Sequence, residues 1–147
     1  MIETDKRGRI IGSILLGLFA LCLFLPVIKV SFIEYLGGFF AMFAPFARTI
    51  VSESFGEYLL KMFVALNPIF LLVLIAWSFR PQLKMIPLSI LSTITFITGI
   101  FWFFKYKDES VLLYGYWFYM FLIILTIGLN FWKLKTQEKV TKDLELS

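Results

Sequence analysis

The chain has 147 residues, of which 60% are hydrophobic and 19% aromatic, and its formal net charge is +4. Soluble domains contain about 45–50% apolar residues, so this chain is more apolar than they are. Its positive mean hydropathy of +0.87 agrees with that. This composition excludes an ordinary water-soluble domain and indicates a single domain committed to the membrane.

Four apolar stretches without a charged residue dominate the chain: Ile10–Ile28, Met62–Phe79, Met85–Phe104 and Val111–Trp132. Each has about the length that a helix needs to cross roughly 30 Å of hydrocarbon. In lipid, only a helix satisfies the backbone of such a stretch. We therefore predict an all-α integral membrane protein with four transmembrane helices, at about residues 10–28, 55–79, 85–104 and 111–133. The charged tail, 134–147, is expected to extend helix four briefly and then fray.

The first apolar stretch is predicted to be an uncleaved helix and not a signal peptide. It is too long for the apolar part of a signal peptide and ends at Pro26 without a cleavage site of small residues. Ser13 and Gly17 form a small-residue edge that is typical of close helix contact. Cys22, the single cysteine, is interpreted as a small apolar residue within the packed helix.

The region after helix one is predicted to lie at the outer membrane surface. Residues 27–32 alternate apolar and polar, which indicates a short extended segment. The run Tyr35–Ala47 is apolar but too short to span, so we interpret it as an interfacial or re-entrant lid. A docking surface or a pore-lining loop is the alternative. Candidate partner-binding or lipid-binding residues are Tyr35, Phe39, Phe40, Phe43 and Phe46, and candidate outer-face charges are Glu34, Arg48, Glu53, Glu57 and Lys61.

Helix two combines a capping signal with a helix breaker. Ser54 and Glu57 have the spacing of a capping box, and Glu57 and Lys61 form an i,i+4 pair. Pro68 lacks a backbone N–H and is predicted to kink the helix, while Asn67 offers donors and acceptors that tie the kink to a neighbouring helix.

Helices three and four carry small and polar residues at helical spacing. Ser92, Thr95 and Gly99 form one stripe on helix three, and Asn130 lies four residues after Thr126 on helix four. Such residues favour close approach and hydrogen bonding between helices. The alternative is a hydrated path lined by the hydroxyls and the two asparagines.

The basic residues predict the orientation. An even number of spans places nine of them on one side, namely Lys6, Arg7, Arg9, Arg80, Lys84, Lys133, Lys135, Lys139 and Lys142. The opposite side has five bases and five acids. The positive-inside rule then places both termini in the cytoplasm, where anionic headgroups hold the basic face.

Several kinds of chemistry have no support in the sequence. The chain has no histidine and one cysteine, which excludes histidine-based metal sites and an intrachain thiol exchanger. It contains no nucleotide-binding loop and no G-x-S-x-G motif. No ionisable residue lies in the middle of a predicted span, which argues against a drug/proton antiporter. We therefore expect no enzyme activity, no metal or other cofactor and no nucleic-acid partner.

The layout resembles the claudin-like four-helix arrangement in its cytoplasmic termini and its long first outer loop. The resemblance is one of topology, because the claudin first loop carries tryptophans and cysteines and residues 31–54 contain neither. Phage holins are similar in composition, with few helices and a basic tail like Lys133–Lys142. No family is assigned from these likenesses.

Three functions are consistent with these features. The leading hypothesis is a non-catalytic plasma-membrane protein, bacterial by default, which assembles with other membrane subunits or with itself through helix packing and its Phe-rich outer loop. The second is a pore or small-solute conduit, such as a channel, a holin-like protein or a membrane-permeabilising effector. The third is an immunity-type protein that binds a peptide or lipid at the outer face.

Overall fold

A computed structural model describes residues 2–30, 33–36, 55, 62–63, 65–106, 111–112 and 114–145. These residues form four helices, α1 (Ile2–Cys22), α2 (Asn67–Ser78), α3 (Met85–Tyr106) and α4 (Tyr114–Glu145). They also form three short strands, β1 (Pro26–Val30), β2 (Ile33–Leu36) and β3 (Val111–Leu112). The predicted four-helix architecture is confirmed.

The four helices form an antiparallel bundle in which α2 and α4 are central. Each of these two contacts the other and also packs against both α1 and α3. The start of α1, the end of α2, the α2–α3 turn and the later part of α4 meet at one end, which we call the basic end. The strands lie near the start of α4, which contacts β1, and we call this the sheet end.

The three strands form one antiparallel sheet in the order β2-β1-β3. Lys29 pairs with Glu34 of β2 and with Val111 of β3, and the register shifts between Pro26 and Ile28. The extended segment predicted after helix one is therefore present over Pro26–Val30, and β2 takes up the first residues of the predicted apolar loop. The sequence did not predict that these segments pair.

Two predicted helix boundaries near the sheet are wrong. Helix one was predicted to end at residue 28, but α1 ends at Cys22. The N–H groups of Leu23 and Phe24 donate to carbonyl oxygens of its last turn. Pro26 then begins β1, since it cannot donate a helical hydrogen bond. Helix four was predicted to begin at residue 111, but Val111–Leu112 pair with β1 and α4 begins at Tyr114.

The helix ends at the opposite side run further than predicted. α1 begins at Ile2 and not near residue 10, and its first turn contains acids, which favour a helix N-terminus. α4 continues to Glu145, well beyond residue 133, through a segment rich in Lys, Gln, Glu and Leu, which are good helix formers. The predicted fraying of the tail is therefore wrong for residues 134–145.

Pro68 marks an interruption in helix two. Met62, Phe63 and Ala65 are helical, Leu66 is a turn residue, and α2 begins at Asn67. The Leu66 carbonyl accepts bonds from both Ile69 and Phe70, at 3.0 Å each, so the chain stays close to helical through the interruption. The predicted capping box at 54–57 lies outside the described residues, apart from the helical Phe55.

Apolar side chains are abundant on the outside of the bundle, and several uncharged polar side chains of the described helices are buried in its interior. Leu15, Leu71, Ile75 and Leu122 are fully buried in the main apolar core. The buried polar residues are Asn67, Ser78, Ser92, Thr95, Thr98, Thr126 and Asn130. Among the described helices, Tyr114–Leu144 is long and apolar enough to cross a membrane, and Asn67–Ser78 and Met85–Phe101 are apolar but shorter.

Two glycines set the approach of α1 to α2. A Cβ atom at Gly12 would lie 2.7–2.9 Å from the Phe79 ring, and one at Gly8 would lie 3.2 Å from the Ser78 carbonyl oxygen. The edge predicted at Ser13 and Gly17 does not make this contact, since both residues are exposed. The signal that was missed is the Gly8-x-x-x-Gly12 spacing, a small-residue motif of close helix packing.

Candidate functional site

Five of the seven buried polar residues in the described part of the chain lie in two clusters, one at each end of α2. The amide cluster comprises Asn67, Thr95, Thr98 and Tyr119. The clamp cluster comprises Ser78, Asn130, Lys133 and Gln137, together with the backbone of the α2–α3 turn. Between the two clusters, apolar residues such as Leu71 and Ile75 fill the α2 face.

Asn67 is the centre of the amide cluster and joins three helices. Its Nδ2 donates both protons, one to the Thr95 carbonyl oxygen at 2.7 Å and one to Thr98 Oγ1 at 2.6 Å. Its Oδ1 accepts from the Tyr119 hydroxyl at 2.6 Å. Thr98 Oγ1 in turn donates to the Ile94 carbonyl oxygen at 2.8 Å. Each of these amide and hydroxyl donors therefore has a hydrogen-bond acceptor within the bundle.

A neighbouring contact closes the sheet end of the α3–α4 interface. The Tyr116 hydroxyl donates to the Gly99 carbonyl oxygen at 3.1 Å. A Cβ atom at Gly99 would lie 3.0 Å from both Ile123 and the Met120 sulfur, so the small residue allows α4 to pack closely on α3. Gly99 thus lies at the helix contact that the Ser92-Thr95-Gly99 spacing predicts.

The clamp cluster begins with a pairing of α2 and α4. Ser78 Oγ lies 2.7 Å from Asn130 Oδ1, to which it donates, and 3.3 Å from the Leu74 carbonyl oxygen. Asn130 Nδ2 donates to the same Leu74 carbonyl oxygen at 3.1 Å. Asn130 therefore binds both a side chain and the backbone of the last turn of α2.

The extension of α4 then holds the α2–α3 turn. Lys133 Nζ donates to the Ser78 carbonyl oxygen at 2.8 Å and also to the Arg80 carbonyl oxygen. Gln137 donates to the Pro81 carbonyl oxygen, and its Oε1 accepts from the Leu83 N–H at 3.1 Å. A cation at a helix C-terminus satisfies carbonyls that have no helical partner and complements the helix dipole. These contacts stabilise the helical conformation of α4 beyond the apolar stretch.

Ser92 is different from the other buried polar residues. Its side chain is 5% exposed, and its Oγ has no hydrogen-bond partner within the described part of the chain. Thr126, by comparison, is fully buried and donates to the Leu122 carbonyl oxygen of its own helix at 2.8 Å.

The structure brings together only part of the candidate set from the sequence. Asn67, Thr95 and Asn130 lie in the two clusters, Pro68 and Ser92 are buried beside them, and Gly99 lies at the α3–α4 contact. Glu34 and Tyr35 lie in β2. The remaining candidates lie outside the described residues, namely Phe39, Phe40, Phe43, Phe46, Arg48, Glu53, Glu57 and Lys61.

Sequence reasoning missed four residues of the clusters. Tyr119 was not a candidate from the sequence, yet its hydroxyl donates to Asn67 Oδ1. Ser78, Lys133 and Gln137 were not recognised as one group. A signal was present in the spacing of Asn130, Lys133 and Gln137, which lie three or four residues apart and share one face of α4.

The chemistry available to this interior is hydrogen bonding between neutral groups, with one ammonium at the basic end. No group of three Cys, Asp or Glu side chains comes together within the described residues. Comparison of the chain with protein-family models, with curated proteins and with solved structures finds no match.

Proposed function

We propose that this chain is a non-catalytic integral membrane protein that spans the bilayer with four helices and acts by assembling with other membrane subunits or with itself. The observation that carries the proposal is the distribution of polarity. Among the described residues, seven polar side chains are buried in the interior and many large apolar side chains are exposed on the outside. In water this arrangement would expose far more apolar surface than soluble proteins tolerate, whereas in lipid it is favourable.

The exposed apolar side chains occur on all four helices and not on a single face. They include Ile10, Ile14 and Leu21 on α1, Ile69, Leu72 and Val73 on α2, Ile86, Ile90 and Ile97 on α3, and Trp117, Phe121 and Ile124 on α4. A soluble protein with one partner would show a confined patch. A surface that is apolar around the bundle fits a surrounding of acyl chains.

The helix lengths also support four spans. α3 has 22 residues, or about 33 Å at 1.5 Å per residue, which matches the hydrocarbon core. α2 alone has 12 residues, or about 18 Å, and does not span. The helical residues Met62, Phe63 and Ala65 precede it, so we propose that these two helical pieces cross the membrane together around the Leu66 turn. Breaks of this kind are tolerated where the freed backbone is packed against protein.

The orientation follows from the basic end. The first turns of α1, the α2–α3 turn and the extension of α4 meet there, and they carry the excess positive charge. The positive-inside rule places this end, and with it both termini, in the cytoplasm. We propose a bacterial plasma membrane as the location.

Assembly is favoured over transport because the interior is tied up in its own hydrogen bonds. Asn67 donates both of its amide protons to α3, and Asn130 donates to the Leu74 carbonyl oxygen and accepts from Ser78, so both side chains are bound to neighbouring helices and do not favour a hydrated path. The surfaces left for function are the lipid-facing helix sides and the Phe-rich run 35–47, most of which lies outside the described residues.

The decisive experiment is native mass spectrometry of the protein extracted gently from its own host membrane. A defined complex with another membrane protein supports an accessory role, and the chemistry of the partner then defines the pathway it serves. A homo-oligomer supports self-assembly. A stable monomer that co-purifies with no protein contradicts the proposal.

A conduit is the second candidate, and the observation that favours it is Ser92. Its buried hydroxyl has no hydrogen-bond partner in the described part of the chain, and such a group can bind a water molecule or a passing solute. If the bundle conducts, Ser92→Leu will change solute flux in liposomes that contain the protein. An unchanged flux removes the idea.

A further inference from the structure

Gln137 joins the extension of α4 to the α2–α3 turn through two hydrogen bonds. Its side-chain amide donates to the Pro81 carbonyl oxygen, and its Oε1 accepts from the Leu83 N–H at 3.1 Å. The amide of one side chain thus binds the backbone of the turn at two points, once as donor and once as acceptor. Because Leu83 is 7% exposed, loss of this acceptor would leave a buried N–H without a partner.

The position of Gln137 depends in turn on the last part of α4, residues 138–145, which we call the end segment. In a continuous helix, the N–H groups of these residues bind the carbonyl oxygens four positions earlier, at residues 134–141. The Thr141 hydroxyl also donates to the Gln137 carbonyl oxygen, at 3.1 Å. If the end segment unwinds, Gln137 loses these bonds and becomes the frayed end of the helix.

The end segment gains little stability from burial. The side chains of residues 138–144 are exposed, with Val140 at 46% and Leu144 at 72%. Helices in proteins are stabilised mostly by packing of a buried face, and oppositely charged pairs at i,i+4 spacing, such as Glu138 and Lys142, add only a small amount. Segments of this kind open locally at a low cost in free energy.

We propose that α4 acts as a latch on the α2–α3 turn and that the end segment sets its state. While residues 138–145 are helical, Gln137 holds the turn at Pro81 and Leu83. When they unwind, Gln137 leaves the turn and the Leu83 N–H exchanges with solvent. The latch therefore couples a weakly stabilised helix end to the connection between the first two helices and the last two. It goes beyond the proposed assembly and does not depend on the partner.

The test measures hydrogen exchange at the Leu83 amide of the full-length protein in lipid nanodiscs. The two variants are Val140→Ala/Leu144→Ala and Val140→Gly/Leu144→Gly. Both delete the same two exposed side chains, but glycine is much less favourable in a helix than alanine, so they differ in the helical stability of the end segment. We expect Leu83 to exchange at least about fivefold faster in the glycine variant. The Leu71 amide in the middle of α2 is the internal reference and should exchange equally in both.

Gln137→Ala separates the latch from a general loosening of the basic end, because it removes both bonds to the turn and keeps a good helix former. In this background Leu83 should exchange rapidly in both variants, with a difference below about twofold. Equal exchange of Leu83 in the alanine and glycine variants overturns the inference. So does a fivefold difference that persists with Gln137→Ala, or an equal acceleration at Leu71. A monomer in native mass spectrometry would contradict the proposed assembly and leave these outcomes unchanged.

Discussion

The two polar clusters occupy opposite ends of the same helix and stabilise it in different ways. In the amide cluster, one side chain, Asn67, provides every contact between α2 and the polar groups of α3 and α4. In the clamp cluster, three side chains of α4 bind the end of α2 and the following turn, and most of their partners are backbone carbonyls. They are Asn130, Lys133 and Gln137. The first cluster therefore depends on a single residue, while the second has redundant contacts.

This difference follows from what each end of α2 lacks. At its start, Pro68 and the Leu66 turn interrupt the helix, so a long-range contact must fix the position of the new helix. At its end, the terminal carbonyls need donors, and a lysine and a glutamine on an adjacent helix supply them. Asparagine suits the first task because it can both donate and accept.

The largest expected effect is that of Asn67→Leu. The substitution removes three interhelical hydrogen bonds and leaves the Tyr119 hydroxyl without its acceptor. Interhelical polar bonds in membranes contribute about 0.6–1.7 kcal/mol, so we expect a loss of about 2 kcal/mol from the free energy of unfolding. Unfolding by SDS in mixed micelles measures it.

Asn130→Leu is the matched comparison, with an expected loss of about 1 kcal/mol. Ser78 Oγ already lies 3.3 Å from the Leu74 carbonyl oxygen and can donate there when Asn130 is absent. If Asn130→Leu costs as much as Asn67→Leu, the clamp cluster is not redundant and the contrast between the two ends is wrong.

The second prediction concerns the glycines of α1. Gly12→Ala places a methyl group against the Phe79 ring and is expected to cost about 1.5 kcal/mol, as overpacking does. Gly17→Ala is the control, because no atom lies within 4 Å of its added Cβ, and alanine favours the helix by up to about 1 kcal/mol. The same unfolding assay separates them, and equal effects would show that α1 does not pack through Gly12.

The third prediction tests the clamp itself. Lys133→Met keeps a long side chain but removes the donor to the Ser78 and Arg80 carbonyl oxygens, and we expect a loss of about 1 kcal/mol. Lys135→Met removes the same charge from an exposed site two residues later and should change stability by less than about 0.5 kcal/mol. Hydrogen exchange at residues 79–84 should increase only in Lys133→Met. Increased exchange in both variants would assign the effect to charge and not to the clamp.

The sequence predicts the helices of this protein well because an apolar stretch that is free of charge has few other solutions. It predicts the helix ends poorly. The ends of α1 and α4 depend on pairing between Pro26–Val30 and Val111–Leu112, which are distant in sequence and carry too few residues for a periodic signal. The length of α4 depends on Lys133 and Gln137 meeting a turn about fifty residues earlier.

The sequence indicated which residue types would lie in the interior, but not which of them would contact each other. Asn67 beside Pro68 was identified as a tie to a neighbouring helix, since an amide at a helix break needs partners. Which partners it finds depends on the rotation of α3 and α4, and Tyr119 could equally face lipid on pattern alone. The choice of Gly8 and Gly12 over Ser13 and Gly17 depends on the same rotation of α1, which only the packed bundle decides.

The smallest expected effect, Ser92→Ala, tests whether every buried polar group of this bundle stabilises it. Ser92 Oγ is buried with no hydrogen-bond partner among the described residues, so Ser92→Ala deletes none of the hydrogen bonds seen there and relieves an unpaired group. We expect a change below about 0.5 kcal/mol, or a slight gain in stability, whereas Thr98→Ala in the amide cluster should destabilise by about 1 kcal/mol because Asn67 then loses an acceptor. A loss for Ser92→Ala as large as that for Thr98→Ala would mean that Ser92 has a bound water or solute as its partner. In that case a conduit explains the interior better than a closed bundle whose polar groups hydrogen-bond only to one another.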